Sequence, residues 1–114
     1  MPRVKRGVTT HKRHKRLLER AKGFRGGRHN LFQEAHQAVI HAGADAYVGR
    51  KDKKGDMRSL WITRINAALE PHNISYSQFI AKLKSKKVEL DRKVLSQIAQ
   101  EDPKSFAEIV KKVI

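Results

Sequence analysis

Cationic side chains crowd the first thirty residues of this chain. That segment holds eleven Lys or Arg residues against a single acid, Glu19. Like charges at this density repel one another, so they need an external polyanion, and the abundant polyanion is nucleic acid. Arginine outnumbers lysine seven to four there, which favours bidentate phosphate contacts and stacking on bases. The chemistry that these residues predict is the binding of phosphate groups.

The candidate contacts form three groups along the chain. The first, the cationic arm, comprises the following members of residues 3–28: Arg3, Lys5, Arg6, His11, Lys12, Arg13, His14, Lys15, Arg16, Arg20, Lys22, Phe24, Arg25 and Arg28. The second, the helix cluster, comprises Arg50, Lys51, Lys53, Lys54, Arg58 and Arg64. Arg92 and Lys93 form a third, smaller group. Phe24 has two interpretations, because its ring is able to stack on a base or to pack internally on Leu17 and Leu18.

Other kinds of chemistry are not favoured. The chain has no cysteine, which excludes disulfides and cysteine-based zinc sites. His11 and His14 are able to share a helix face, but no third ligand joins them, so histidine at an RNA surface is the preferred interpretation over a metal site. No phosphate-binding loop, dinucleotide fingerprint or serine elbow is present. We therefore predict no enzyme, no cofactor, no small-molecule substrate and, without a long apolar run, no membrane partner.

The pattern that positions the cationic arm is helical and broken by glycine. An extended tail is predicted for residues 2–9, followed by a helix from Thr10 to Lys22 that Thr10 caps and Gly23 ends. Asn30 with Gln33 has capping-box spacing and opens a long helix over residues 31–69. Gly43, Gly49 and Gly55 lie within it, so two helices hinged near residues 49–56 are the alternative to the single bent helix that we prefer.

Three short helices are predicted to follow Pro71. Ser75 with Gln78 caps the first, Asp91 the second, and Asp102 with Pro103 the third. Their apolar residues recur at helical spacing and, with part of the long helix, predict this core: Trp61, Ile62, Ile65, Leu69, Phe79, Ile80, Leu83, Val94, Leu95, Ile98, Phe106, Ile109, Val110 and Val113. Trp61 is expected to anchor it, with base stacking as the minority interpretation.

Charge and apolar content divide the chain into two predicted parts. Residues 1–58 carry a net charge of +11 and form a basic RNA-threading extension, whereas residues 59–114 carry +4 and form a small globular domain. The extension has too few apolar residues for a core of its own, so we expect it to order only when bound. The predicted class is all-α: an extended basic arm and a long helix leading into a small C-terminal helical domain.

Several sequence segments match one known pattern in order. They are PRVKRGV at the N-terminus, GFRGGR at residues 23–28, QAVIHAG at 37–43, KGDMRSLWITRIN at 54–66, SYSQFI at 75–80 and DRKVL at 91–95. On these motifs the chain resembles the ribosomal protein L20 family of bacterial large subunits over essentially its whole length. Glu34, Asp52 and Glu70 depart from the more basic family pattern, so no RNA contact is assigned to them.

The resemblance implies direct binding to 23S ribosomal RNA and a role early in large-subunit assembly, without part in peptide-bond chemistry. It also implies neighbouring large-subunit proteins as partners, and a location in the ribosome of the cytoplasm or of an organelle. Some members of the family are reported to repress translation of their own message, and that role stays open here. The alternative from another class is a helix-turn-helix DNA regulator built on the helices near 76–84 and 92–100.

Overall fold

The computed structural model describes Arg3 and residues 5–114, and every regular element in that part of the chain is helical. Five α-helices follow one another: α1 (Gly7–Arg20), α2 (Phe32–Leu69), α3 (Tyr76–Ser85), α4 (Arg92–Glu101) and α5 (Pro103–Val113). Short 3-10 turns at Gly26–His29 and Glu70–His72 precede and follow α2. The predicted all-α class is therefore confirmed.

The first two helices begin at different residues from those predicted. Helix α1 starts at Gly7, where the amide of Thr10 already donates to the carbonyl of Arg6 at 3.1 Å, so Thr10 lies inside the helix and does not cap it. The predicted tail is wrong from Gly7 onward, and Pro2 and Val4 lie outside the described residues. Asn30 ends the 3-10 turn instead of opening α2, because its amide donates to the carbonyl of Gly27.

Helix α2 is one continuous helix through Gly43, Gly49 and Gly55, as preferred from the sequence. Each of these glycines costs about 1 kcal/mol relative to alanine in a helix interior, yet none of them interrupts the helix. Spatial contacts nevertheless divide the chain into two compact units, one ending at Lys51 and one running from Asp52 to Ile114. Beyond Leu69 the helical path ends at Asn73, whose φ of 54° is left-handed.

The caps of the C-terminal helices agree largely with the sequence. Ser75 and Gln78 form the predicted capping box at α3, in which each residue's side chain accepts a hydrogen bond from the other's backbone amide. Asp102 caps α5 by accepting from the amide of Ser105 at 3.2 Å. Asp91 stands at the N-cap of α4 but makes no side-chain capping bond. The predicted start of the helix is therefore correct, and the predicted cap is not formed.

An apolar core lies among α3, α4, α5 and the end of α2. Its buried members are Ile65, Leu69, Phe79, Leu83, Leu95, Phe106, Val110 and Val113. Phe79 and Phe106 meet at its centre with ring centroids 6.0 Å apart. Val94 was predicted as core but is 39% exposed, and Trp61 and Ile62 are only half-buried. The face of α4 that packs runs through Leu95, Ser96 and Ala99, which leaves Val94 at its edge.

Acid is expected to weaken the cap of α5. Hydrogen bonds from the hydroxyl of Ser105, then from its amide, hold the pKa of Asp102 below the ordinary value of 3.8. A carboxyl whose pKa is lowered by folding stabilises the folded state above its ordinary pKa, and this stabilisation is lost as the pH falls through the lowered value. Asp102→Asn keeps an acceptor but does not titrate.

The measurement is the melting temperature of the full chain and of Asp102→Asn between pH 6 and pH 2, from far-ultraviolet circular dichroism. The wild-type chain should melt higher near pH 6, and the difference should shrink as the pH falls below the ordinary pKa of the carboxyl. Because all other carboxyl groups titrate in both proteins, the difference isolates Asp102. A difference that stays constant with pH would contradict this role.

Candidate nucleic-acid interface

Helix α1 carries a cationic stripe on one side and its apolar residues on the other. At about 100° per residue, Lys12, Arg13, Arg16 and Arg20 fall within an arc of roughly 100°. All four side chains are exposed. Leu17 and Leu18 on the remaining surface are half-buried, and Ala21 directly after the helix is fully buried. The helix therefore packs through one side and presents its charge outward.

Exposure extends to every lysine and arginine of the cationic arm. All eleven are exposed in the structure, including Arg3, Lys5 and Arg6 ahead of α1 and Lys22, Arg25 and Arg28 after it. His11 is also exposed. A side chain that reaches solvent is free to contact an external phosphate, so the local structure leaves the whole cationic set available for binding.

Two glycines with left-handed backbone shape the turn that follows α1. Gly23 has a φ of 87° and Gly26 a φ of 65°, values that cost other residues about 1 kcal/mol or more. Gly27 is tight for a different reason, because a side-chain Cβ there would lie 2.8 Å from Oε2 of Glu34. The turn holds Arg25 and Arg28 beside a groove of about 910 Å³ that α2 lines with Gln37 and His41.

The shape of the groove should depend more on the backbone of the glycine turn than on the part of α2 that follows the groove. Gly23→Ala places a side chain at a left-handed φ and is expected to cost about 1 kcal/mol. The matched variant Gly43→Ala lies within α2, where an added Cβ meets nothing within 4 Å, and should stabilise the helix by up to about 1 kcal/mol.

Helicity by circular dichroism and affinity for a folded 23S rRNA fragment test this pair. Gly23→Ala should weaken RNA binding without changing its salt dependence, because every cation remains. Gly43→Ala should raise helicity. Equal behaviour of the two variants would show that the left-handed turn has no special role.

Two predicted contacts of the arm, His14 and Phe24, are half-buried. The imidazole of His14 lies against the ring of Phe32, with centroids 3.9 Å apart, and so joins α1 to the start of α2. Phe24 is half-buried, and its amide donates to the carbonyl of Ala21 at 3.1 Å. Half-burial of Phe24 is compatible with both predicted interpretations, internal packing and contact with a partner. The packing of His14 gives it a structural role that the sequence does not show.

The helix cluster lies on α2, and its six cations are all exposed: Arg50, Lys51, Lys53, Lys54, Arg58 and Arg64. The ammonium of Lys51 stands 5.3 Å from the ring centroid of Tyr47, a cation–π distance. Arg58 precedes the buried Ile65 by seven residues, so both lie on the same side of α2. Arg58 therefore lies on the side of α2 that carries the buried Ile65 two turns later.

The third predicted group divides into one held and one free side chain. Nε of Arg92 donates to the hydroxyl of Tyr76 at 2.8 Å, and the arginine is half-buried. Lys93 beside it is exposed. Arg92 therefore ties α4 to α3, with its other guanidinium nitrogens left for further hydrogen bonds.

A lysine-rich end of the C-terminal unit is not among the predicted contacts. Nζ of Lys86 donates to the backbone carbonyl of Lys112 at 2.7 Å, which brings the ends of α3 and α5 together. Exposed Lys84, Lys87 and Lys111 lie in the same two segments. The sequence signal is lysine in the last turn of each helix, but cations there also offset the helix dipole, so the pattern alone does not identify a binding surface.

Metal and membrane chemistry receive no support from the described part of the chain. Among those residues no three His, Asp or Glu side chains gather as a metal site would require. No helix in that part is both long and apolar enough to cross a bilayer.

Comparison with known proteins finds a family and close relatives that match almost the whole chain. The model of the family described as ribosomal protein L20 matches residues 3–109. The large ribosomal subunit protein bL20 of Methylibium petroleiphilum is 54% identical over 113 residues, 99% of this chain and 96% of that protein. The protein of the same name from Burkholderia cenocepacia is 55% identical over 99% of this chain and 95% of its own length. That of Chloroflexus aurantiacus is 54% identical over 96% of this chain and 92% of its own length.

Proposed function

This chain belongs to the ribosomal protein L20 family, and we propose from that premise that it binds 23S ribosomal RNA directly and supports early assembly of the large subunit. It is a structural constituent of the large ribosomal subunit and not an enzyme. Its place is the bacterial ribosome in the cytoplasm, where its partners are ribosomal RNA and neighbouring ribosomal proteins.

The observation that carries the proposal is the complete exposure of the cations in the arm. Eleven lysines and arginines lie between Arg3 and Arg28, and none of them is buried. Exposed cations at this density destabilise an isolated chain because they repel one another. When a polyanion is bound, attraction to its negative charges makes the same cations stabilise the complex. RNA phosphates are that polyanion.

The mechanism is charge neutralisation of phosphates that belong to separate RNA segments. Each bound lysine or arginine releases condensed counterions from the RNA, and their release supplies affinity that falls steeply with salt. The stripe of α1 and the glycine turn are close along the chain, yet they present different cations: Lys12, Arg13, Arg16 and Arg20 in the stripe, and Arg25 and Arg28 in the turn. By neutralising phosphates on both, these cations let RNA strands that would otherwise repel one another come together. This is how the protein would support assembly.

The C-terminal unit supports a second, more rigid contact. Lys54 and Arg58 on α2 and Lys93 on α4 are exposed cations on regular helices, so they are suited to meet a preformed RNA surface. Recognition of this kind reads the shape of a folded RNA through its backbone. No observation favours the DNA-regulator alternative, because Leu95 of the would-be reading helix is buried and Arg92 is held by Tyr76.

The test is competition between folded RNA and duplex DNA at moderate salt. Purified full-length protein should bind a folded 23S rRNA fragment far more tightly than a DNA duplex of the same charge. The same RNA sequence, heated and trapped unfolded, should bind less well than the folded fragment. Equal affinity for all three would reduce the protein to a generic polycation and would overturn the proposal.

A further inference from the structure

The groove between the glycine turn and α2 is lined by side chains of both charges. Arg25 and Arg28 line it from the turn, whereas Glu34 and Asp45 line it from α2. All four side chains are exposed. The groove volume of about 910 Å³ lies within the roughly 300–1,000 Å³ that is usual for ligand sites. The groove is therefore large enough for a nucleotide, but its two carboxylates make it unsuited to hold phosphate along its whole length.

The wall that α2 provides is one row of side chains. At about 100° per residue, Glu34, Ala38, His41 and Asp45 fall within an arc of roughly 60°. The short side chain of Ala38 leaves room between its larger neighbours. His41 and Asp45 are about 6 Å apart along the helix, at 1.5 Å per residue, so one flat ring is able to meet both of them.

The two carboxylates of the groove lie at different ends of that row. Oε2 of Glu34 lies 2.8 Å from the position that a Cβ on Gly27 would take, so this carboxylate stands against the turn. Asp45 is about 16 Å farther along the helix, at 1.5 Å per residue. The carboxylate of Asp45 therefore lies at the end away from the turn, where it is free to accept hydrogen bonds from a ligand.

The turn adds an aromatic ring and open space to the other wall. Half-buried Phe24 lines the groove, and a Cβ added at Gly23 would meet nothing within 4 Å. Proteins hold unpaired RNA bases by stacking them on aromatic rings or arginine planes and by hydrogen bonds to the base edges. The groove offers both kinds of group, with arginine at the same turn for the phosphate of the bound nucleotide.

We propose that this groove holds one unpaired guanine of the RNA, a refinement that rests on the proposed RNA-binding function. Guanine is the RNA base whose pairing edge presents two neighbouring donors, N1–H and the N2 amino group, and the two oxygens of the Asp45 carboxylate are able to accept from both. Adenine, cytosine and uracil place an acceptor beside their donor, which a carboxylate repels. A cationic segment of another protein is disfavoured, because Arg25 and Arg28 line the same groove.

Binding of single-stranded RNA oligonucleotides to the full chain tests the proposal. Every position of the oligonucleotide is uridine except the central one, which is guanosine, adenosine or inosine. Inosine is guanosine without the N2 amino group, so it retains only one of the two donors. Fluorescence anisotropy at fixed salt gives the affinities. We expect guanosine to bind about tenfold more tightly than adenosine, as for one bidentate base contact, and inosine to lie between them.

Asp45→Asn separates base recognition from the effect of charge. Asparagine keeps one acceptor atom but replaces the other with a donor, so the preference for guanosine over adenosine should fall to about twofold or less. Asp52→Asn is the matched control, because Asp52 is also exposed on α2, seven residues beyond Asp45, and either substitution raises the net charge by one. The control should retain the preference of the unaltered chain. The ratio of affinities is the readout, since added positive charge tightens binding of every oligonucleotide alike.

The outcomes separate this inference from the proposed function. Equal affinity for guanosine and adenosine would overturn the guanine site and leave phosphate binding by the arm intact. Inosine bound as tightly as guanosine would also overturn it, as would a preference that Asp45→Asn does not reduce or that Asp52→Asn reduces equally. Failure to bind both the oligonucleotides and the folded 23S rRNA fragment would instead count against the RNA-binding function itself.

Discussion

Replacing Lys12, Arg13, Arg16 and Arg20 together with glutamine is expected to weaken binding to a folded 23S rRNA fragment by roughly a thousandfold at 0.1 M salt. The plot of log affinity against log salt should become less steep by about 3 units, because about four phosphate contacts are lost. The four residues form the exposed stripe of α1. Glutamine has nearly the helix propensity of lysine and arginine, so the helix and its packing through Leu17 and Leu18 are retained.

The matched control removes the same amount of charge elsewhere. Lys84, Lys104, Lys111 and Lys112 are exposed on the C-terminal unit, and their replacement by glutamine lowers the net charge by four as well. We expect a clearly smaller change in the salt slope for this variant. Titrations of both proteins over a range of potassium chloride concentrations give the two slopes. If both variants lose slope equally, net charge alone governs binding and the stripe of α1 has no special role.

Phe79→Ala is expected to have the largest effect on stability. The side chain of Phe79 is fully buried and lies against Phe106 in the C-terminal core. Truncation of a buried phenylalanine costs about 3–5 kcal/mol, since apolar contacts are lost and a cavity is left. At roughly 0.05–0.15 kcal/mol per residue, a unit of this size has only a few kcal/mol of total stability. The variant should therefore leave the C-terminal unit largely unfolded.

Urea unfolding followed by circular dichroism measures the effect on the full chain. Val94→Ala is the control, because Val94 lies in the neighbouring helix but is partly exposed, and it should cost less than about 1 kcal/mol. The salt slope that the cationic arm contributes should survive in Phe79→Ala. If Val94→Ala lowered the free energy of unfolding as much as Phe79→Ala, Val94 would have to be a core residue. That result would contradict the packing face assigned to α4.

Local sequence rules predict the C-terminal helices well and the N-terminal junctions less well. The same capping-box spacing occurs at Ser75 with Gln78 and at Asn30 with Gln33, but only the first forms a cap. The difference arises because the amides of Asn30 and Leu31 are already bonded to the carbonyl of Gly27. The tight turn fixes the backbone before the helix starts, and a four-residue pattern does not contain that information.

Exposure of the candidate contacts is predictable from charge, whereas their internal partners are not. Lysine and arginine are costly to bury, so the exposed arm follows directly from composition. The contact between the rings of His14 and Phe32 and the hydrogen bond from Arg92 to Tyr76 join residues 18 and 16 positions apart. Such pairs depend on how helices pack, and helical periodicity does not specify which neighbour a given face meets. Val94 was misplaced for the same reason.

Trp61 gives the chain a property that follows from its position alone. It is the only tryptophan, it is half-buried, and it lies on α2 one turn before the buried Ile65. Exposed Arg58 and Arg64 are three residues away on either side. We expect the fluorescence of a half-buried indole at this position to change when the C-terminal unit unfolds, and the proposed binding of RNA at the flanking arginines should change it as well. Trp61 would then report unfolding and the proposed RNA binding in the native protein, without an attached dye.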